Sequence, residues 1–330
     1  MATLEDIAKK VGVSKSTVSK ALSGAGDVSE TMRRTVLEVA VELGYTRLRR
    51  AEEAPKLAIF VTNMAYQSKE DFGHEIIVGF RKMAEPDGFQ VDVIPLIITM
   101  EVNSRYDAFM MGGNYQGGLF LGLSPDHPWL EDFKTCKTPT VLYDSRVSGN
   151  PKVCCVGVDN TEGMQMAVRH LKQLGHSQIG YLSCATNAYI YRLRRDAFLD
   201  ALKDNELSHS SDRIGADDSM EVCMGTHLPR LLKNGCTAIV CSHDLVALQV
   251  MEHCREIGLK VPEDVSILGF DDIPQCKTAN PPLSTIRQNR TELGKSAYCA
   301  LLSQINGVPI STFLLHTELI SRSSCAANTK

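Results

Sequence analysis

From residue 57 onward, short continuous apolar runs recur along the chain, and stretches with helical spacing separate them. The runs are Leu57–Val61, Val91–Leu96, Gly118–Leu123, Thr140–Asp144, Val153–Asp159, Ile179–Cys184, Ala238–Ser242 and Val265–Phe270. A strand that is apolar along its whole length is buried on both faces. That is the condition of a parallel sheet covered by helices. Glu162–Leu174 has the pattern of one covering helix, and Gly175 follows it as the residue that ends it. Eight such strands exceed one small doubly wound sheet, so two α/β subdomains are expected. Further strands around Leu283–Arg287 and Phe313–Ile320 are free to join either one.

The chain has 330 residues, room for two to three domains at roughly 100–200 residues each. Its formal charge of −4 is unevenly spread. Residues 1–50 carry nine Lys/Arg against six Asp/Glu, and the remaining 280 carry 26 against 33. A basic head on an acidic body directs any polyanion to the head. The segment "TRLRRAEEAPK", Thr46–Lys56, has few apolar residues and dense charge of both signs, and Pro55 stops any helix before the first strand. It reads as a linker. No run of about 18 apolar residues exists, so no membrane span is expected. The start "MATLEDIAKK" lacks the apolar core of a secretory signal, and a cytoplasmic location is expected. The eleven cysteines form no CxxC, so free thiols, no metal and no cofactor are expected.

The head divides into three helices. Thr3 caps Leu4–Val11, whose first turn holds Glu5 and Asp6. Gly12 permits a tight turn, Ser14 caps Lys15–Leu22, and Ser29 starts a third helix that runs to Leu43 before Gly44. Ile7, Ala8, Val11, Val18, Ala21 and Val36 supply a small core. Small Ala8 lets two helices approach, Gly12 makes the turn, and Val18 buries the second helix. That is a helix-turn-helix unit, whose second helix presents its N-terminal residues to base edges in the major groove.

With those residues in place, the sequence resembles the lac repressor (LacI/GalR) family. "TLEDIAKKVGVSKSTVSKAL" and "VSETMRRTVLEVAVELGY" are similar to that family's DNA-binding headpiece. "HLKQLGHSQIGYL", "RLRRDAFLDAL", "SHDLVALQVM", "VPEDVSILGFDD" and "PPLSTIRQ" are similar, in order, to its effector-binding core. Ordered matches over about 300 residues are far more specific than any single motif. The resemblance implies an all-α headpiece over residues 1–46 and a hinge or linker over 47–56. It implies an α/β core of periplasmic-binding-protein type over 57–330, built as two doubly wound parallel lobes. One lobe takes approximately 57–153 plus 288–313, and the other 154–287 plus 314–330.

The resemblance also implies roles. Lys15, Ser16 and Lys20 fall at base-reading positions, and lysine donates to guanine O6 and N7. Thr3, Ser14, Ser19, Ser23, Ser29 and Arg33 fall at or beside positions that touch phosphate. The family's hinge departs here: no proline follows "GY", and the stretch is about four residues short by alignment. Leu48 is its only apolar residue before the core, so the usual minor-groove insertion is in question. Arg47, Arg49 and Arg50 are placed either to hold DNA electrostatically or to belong to an unstructured tether.

In the core, Asp144, Arg194, Asp244, Asp271 and Gln288 resemble effector-contacting positions. All follow strand ends or the loops beyond them, where ligands sit in parallel α/β sheets. Asp, Arg and Gln suit a polyol, because carboxylates accept and guanidinium donates in fixed forks. The alternative is that Asp144 and Asp271 only cap turns. His243 stands where the family commonly has Asn, adding bulk and a titratable group. Tyr66, Phe72, Tyr189 and Tyr191 are candidates for stacking on a ligand. A sugar or sugar derivative is the first reading of the effector, and a nucleoside or other small metabolite the second.

The sequence has no GxSxG elbow, Walker A loop or HExxH, and no GxGxxG after the first strand, so an enzyme is not expected. "MMGGNYQGG" reads as a turn leading into a strand. The partners implied are a pseudo-palindromic operator DNA, a small-molecule effector and a second copy of the chain in a homodimer.

Overall fold

The computed structural model describes residues 2–45, 54–96, 104–184 and 188–329. The headpiece holds α1 (Leu4–Val11), α2 (Lys15–Ser23) and α3 (Glu30–Glu42). There follow β1 (Lys56–Val61), α4 (Phe72–Ala84), β2 (Gln90–Pro95), α5 (Tyr106–Gly112), β3 (Tyr115–Leu121), α6 (Trp129–Phe133), β4 (Thr140–Tyr143) and β5 (Val153–Val158). Next come α7 (Asn160–Gln173), β6 (Ile179–Ser183), α8 (Tyr189–Asp204), β7 (Ile214–Ala216), α9 (Met220–Val222), α10 (Leu228–Lys233), β8 (Ala238–Cys241) and α11 (Asp244–Glu256). The chain ends through β9 (Ser266–Asp271), α12 (Gln275–Thr278), β10 (Ser284–Arg287), α13 (Arg290–Ile305), β11 (Thr312–Leu315) and β12 (Glu318–Ile320).

These elements form two compact units. The first comprises Met1–Gln67, Gly73–Val156 and Gly294–Phe313, and the second Ser68–Phe72, Gly157–Leu293 and Leu314–Lys330. Each unit contains one six-stranded sheet, in the orders β11-β5-β4-β3-β1-β2 and β12-β10-β9-β8-β6-β7. β2, β1, β3, β4 and β5 run parallel. So do β7, β6, β8, β9 and β10, while β12 is antiparallel at the edge. Both sheets therefore reverse their strand order once: beside β1 in the first and beside β6 in the second. Such reversals open a crevice at the carboxyl ends of the strands.

The cores explain the continuous apolar runs. In the first unit Phe60 stacks on Phe120 at 4.5 Å and meets Trp129 edge-on at 5.5 Å. In the second, Tyr181 and Phe198 pack 5.2 Å apart. Gly294 marks a close crossing in the first unit, since a Cβ there would lie 2.0 Å from the Ile76 carbonyl oxygen.

The headpiece follows its capping signals. Thr3 Oγ1 accepts from Asp6 N, Ser14 Oγ from Thr17 N and Ser29 Oγ from Met32 N. Gly12 turns the chain at φ +79°, a conformation that disfavours any residue with a Cβ. Ile7, Val18, Ala21, Val36, Leu37 and Ala40 form the small core, which continues onto Ala108 and Met111 of α5. The headpiece thus packs on α5 within the first unit through α3, and Arg33 Nη2 donates to Gly112 O at 3.1 Å.

Three local expectations change. "MMGG" is helical: Tyr106 and Met110 lie one turn apart and are both buried, so α5 forms and its glycines only end it. Phe313–Ile320 is two strands, broken at His316 and Thr317, which bond to the Glu162 carboxylate. β7 has only three residues and showed no period in the sequence.

Candidate functional site

Two surfaces carry the chemistry. The first is α2 of the headpiece. Lys15, Ser16, Ser19 and Lys20 all stand exposed on it, while Val18, Ala21 and Leu22 turn inward. This split follows from one apolar face at helical spacing. Lys15 Nζ lies 2.9 Å from Glu5 Oε1, and Lys20 Nζ lies 2.5 Å from Asp27 Oδ2. Thr3, Ser14 and Ser29 spend their hydroxyls as helix caps, and Ser23 Oγ donates to Lys20 O at 3.0 Å. Arg33 donates to the Gly112 carbonyl of α5. Arg47, Leu48, Arg49 and Arg50 lie outside the described residues.

The second surface belongs to the second unit and sits at the carboxyl ends of its strands. Asp271 ends β9, Ser242 and His243 follow β8, Gln288 follows β10, and Asn160 opens α7 after β5. Arg194 comes from α8 and is 2% exposed. Its Nε donates to Asn160 Oδ1 at 2.8 Å. Its Nη1 donates to Ser242 O at 2.7 Å and reaches Asp271 Oδ1 at 3.4 Å. Its guanidinium lies 3.8 Å over the Phe270 ring. Gln288 Nε2 donates to the same Asp271 oxygen at 2.6 Å. Asp271 holds φ +123°, a conformation an L residue rarely adopts, and strain of this kind clusters at ligand sites.

An aromatic pair borders this network. The Tyr191 and His243 rings lie 5.2 Å apart at 34°, and His243 Nδ1 shares a 3.0 Å hydrogen bond with Ser242 Oγ. Burial, and then the positive charge of Arg194, push the His243 imidazolium down to about 4, so the ring is neutral at physiological pH. Burial also raises the Asp271 carboxyl, against the pull of Arg194. The arrangement offers fixed donors and acceptors with no uncompensated charge between Arg194 and Asp271.

Asp244 opens α11. It is wholly buried. It accepts from Ile273 N at 2.9 Å, Cys276 Sγ at 3.0 Å and Thr285 Oγ1 at 2.6 Å. These partners make it a brace for the segments around β9 and β10. Burial, and then Asp271, push its carboxyl up to about 7. Phe72 is also engaged elsewhere, beneath the Arg290 guanidinium at 5.4 Å. Tyr189 opens α8 and is half-buried. Asp144 and Tyr66 belong to the first unit. Asp144 follows β4 at φ +50°, with its N–H on Val156 O at 3.0 Å, and the Tyr66 carbonyl contacts His74 Nδ1 at 3.3 Å.

Sequence reasoning missed Asn160, Ser242, Phe270 and Arg290. Arg290 Nη1 donates to the Asp272 carbonyl at 3.1 Å and fixes the turn after β9. Position at a strand end was the available signal for Asn160 and Ser242. The cation–π seat on Phe270 had none. Among the described residues no group of three or more His, Cys, Asp or Glu is placed to hold a metal ion.

Known proteins share this plan. Residues 3–47 match the family model described as bacterial regulatory proteins, lacI family, and residues 168–325 match the periplasmic binding protein-like domain. The HTH-type transcriptional regulator MalR of Streptomyces coelicolor is 30% identical, with 98% of this chain and 96% of that protein covered. The HTH-type transcriptional repressor CytR of Escherichia coli K12 is 29% identical, with 99% and 97% covered. Among solved structures, the complex of transcriptional regulator CelR with cellobiose has TM-score 0.70 at 27% identity, covering 98% of this chain and 100% of that one. The lac repressor dimer bound to operator and the anti-inducer ONPF has TM-score 0.66 at 23% identity, covering 99% of each.

Proposed function

The chain belongs to the LacI family of bacterial regulatory proteins, and from that membership we propose a cytoplasmic repressor whose grip on DNA is set by a small neutral effector. It is a DNA-binding transcriptional regulator and not an enzyme. In this reading α2 enters the major groove, with Lys15, Ser16 and Lys20 at base edges. One headpiece makes few contacts, so a homodimer reads a pseudo-palindrome with half-sites about one helical turn apart. The dimeric operator complex of the lac repressor supports that assembly by likeness of fold. In this reading the effector is held by Arg194, Asp271 and Gln288 of the second unit.

The observation that carries the ligand half is the Arg194–Asp271–Gln288 network at the strand ends. Its acceptor and donors converge, and their charges offset each other. That suits hydroxyl pairs on a neutral molecule and disfavours phosphate esters. The cellobiose complex of the CelR relative supports a carbohydrate. The tilted Tyr191–His243 ring pair supports a second reading, a nucleoside, because aromatic rings suit a base as well as a sugar.

A thermal-shift screen of the purified protein against neutral sugars, sugar phosphates and nucleosides tests this. Binding to the folded state raises the melting temperature with ligand concentration. The expected hit is a neutral sugar or nucleoside whose effect disappears in Asp271→Asn while DNA binding persists. A hit confined to phosphorylated compounds, or one untouched by Asp271→Asn, contradicts the assignment.

A further inference from the structure

Both lysines on the DNA-facing side of α2 already have partners, and neither partner lies on α2. Glu5 reaches Lys15 from α1, and Asp27 reaches Lys20 from the loop before α3. All four side chains are more than half exposed, and exposed ion pairs add little to folding. The hydrogen bond from Lys20 holds the Asp27 carboxyl below the usual carboxylate range, so it is ionised at neutral pH. α2 itself contains no acid. Two carboxylates from neighbouring segments thus stand beside the only two lysines of the helix.

We propose that Glu5 and Asp27 are specificity-determining residues, which orient Lys15 and Lys20 toward base edges and keep their charge from pairing indiscriminately with phosphate. The proposal rests on the reading of α2 as the recognition helix. A lysine is a compact charge on a flexible stem, and it reaches a phosphate as readily as a base. Phosphate contacts strengthen binding to every sequence alike, whereas a bond to guanine O6 or N7 requires the right base. An adjacent carboxylate separates the two uses. It repels phosphate and cancels much of the ammonium charge. It does not block a guanine contact, because the ammonium has three donors and one can remain on the carboxylate. Discrimination then arises from weakening the wrong complexes.

The test uses the full chain with Glu5→Gln, Asp27→Asn, the double variant and the conservative Asp27→Glu. Fluorescence anisotropy follows two duplexes, one selected from a randomised pool of about 30 bp and one scrambled, with KCl raised from about 50 to 300 mM. Each neutralised acid is expected to raise scrambled-duplex affinity roughly three- to tenfold at low salt and to steepen the log–log salt slope by about one. The ratio of selected to scrambled affinity falls correspondingly, and Asp27→Glu keeps the wild-type ratio. Unchanged slopes and ratios in the double variant overturn the proposal. So does an equal loss on both duplexes together with a lowered melting temperature, which makes the acids structural braces. A wild-type chain that prefers no duplex overturns the recognition-helix reading, and the proposal falls with it.

Discussion

At residue 243 an imidazole sits between the Ser242 hydroxyl and the Tyr191 ring, with the Arg194 charge nearby. Between pH 4 and 6.5 the unfolded chain binds a proton there that the folded chain rejects. His243 therefore makes stability rise with pH across that window, by at most about 3 kcal/mol. Asp244 works in the opposite sense: its folded carboxyl keeps a proton up to about 7 that the unfolded chain releases above 3.8. His243→Asn removes only the rising part. The difference in melting temperature between wild type and variant then shifts in favour of the wild type from about pH 4.5 to 6.5, by about 2–4 °C for each kcal/mol. Superimposable pH profiles would contradict a buried, neutral His243. On the headpiece, Lys20→Ala is expected to reduce sequence discrimination more than Ser23→Ala, because the Ser23 hydroxyl is bonded to its own helix. Competition between specific and random duplexes measures this, and equal losses on both for Lys20→Ala would remove its base-reading role. The identity of these residues was legible from their places in the sequence. Their partners were not: nothing periodic links Asp27 to Lys20, or Asp244 to Thr285.

At the scale of elements, α3 lies on α5 with Leu37, Ala108 and the Arg33–Gly112 bond between them. Leu37→Ala removes a mostly buried side chain, with an expected loss of about 2–4 kcal/mol from headpiece stability. Ala108→Glu approaches the same contact from the other side by placing a charge where Ala108 is 1% exposed. Amide exchange in α3 is expected to accelerate in Ala108→Glu, and unchanged exchange would show that α3 does not depend on α5. Strand and helix alternation was readable because buried parallel strands are uniformly apolar. The caps at Thr3, Ser14 and Ser29 were readable because short hydroxyl side chains at helix starts satisfy free N–H groups. The three-residue β7 and the helix through "MMGG" were not. The first is too short to show a period, and in the second glycines masked the Tyr106–Met110 spacing. The packing of α3 on α5 depends on contacts far apart in the chain, which local patterning does not encode.

For the whole molecule, the chain combines one headpiece with two mostly parallel sheets of matching strand order, and regulation requires that ligand and DNA share a coupling free energy. Coupling of this kind is typically about 1–3 kcal/mol, or roughly 5–150-fold in operator affinity. Effector and DNA then alter each other's binding by the same factor, which titration of each in the presence of the other checks. The measurement closest to the central claim is selection of bound duplexes from a randomised pool by the full-length protein, followed by affinity of the winner against a scrambled sequence. A sequence-reading dimer enriches a pseudo-palindrome with half-sites about one turn apart, bound at least roughly a thousandfold tighter than scrambled DNA. A pool that returns no common sequence, or a winner bound no tighter than the scrambled duplex, contradicts the claim that this chain reads DNA.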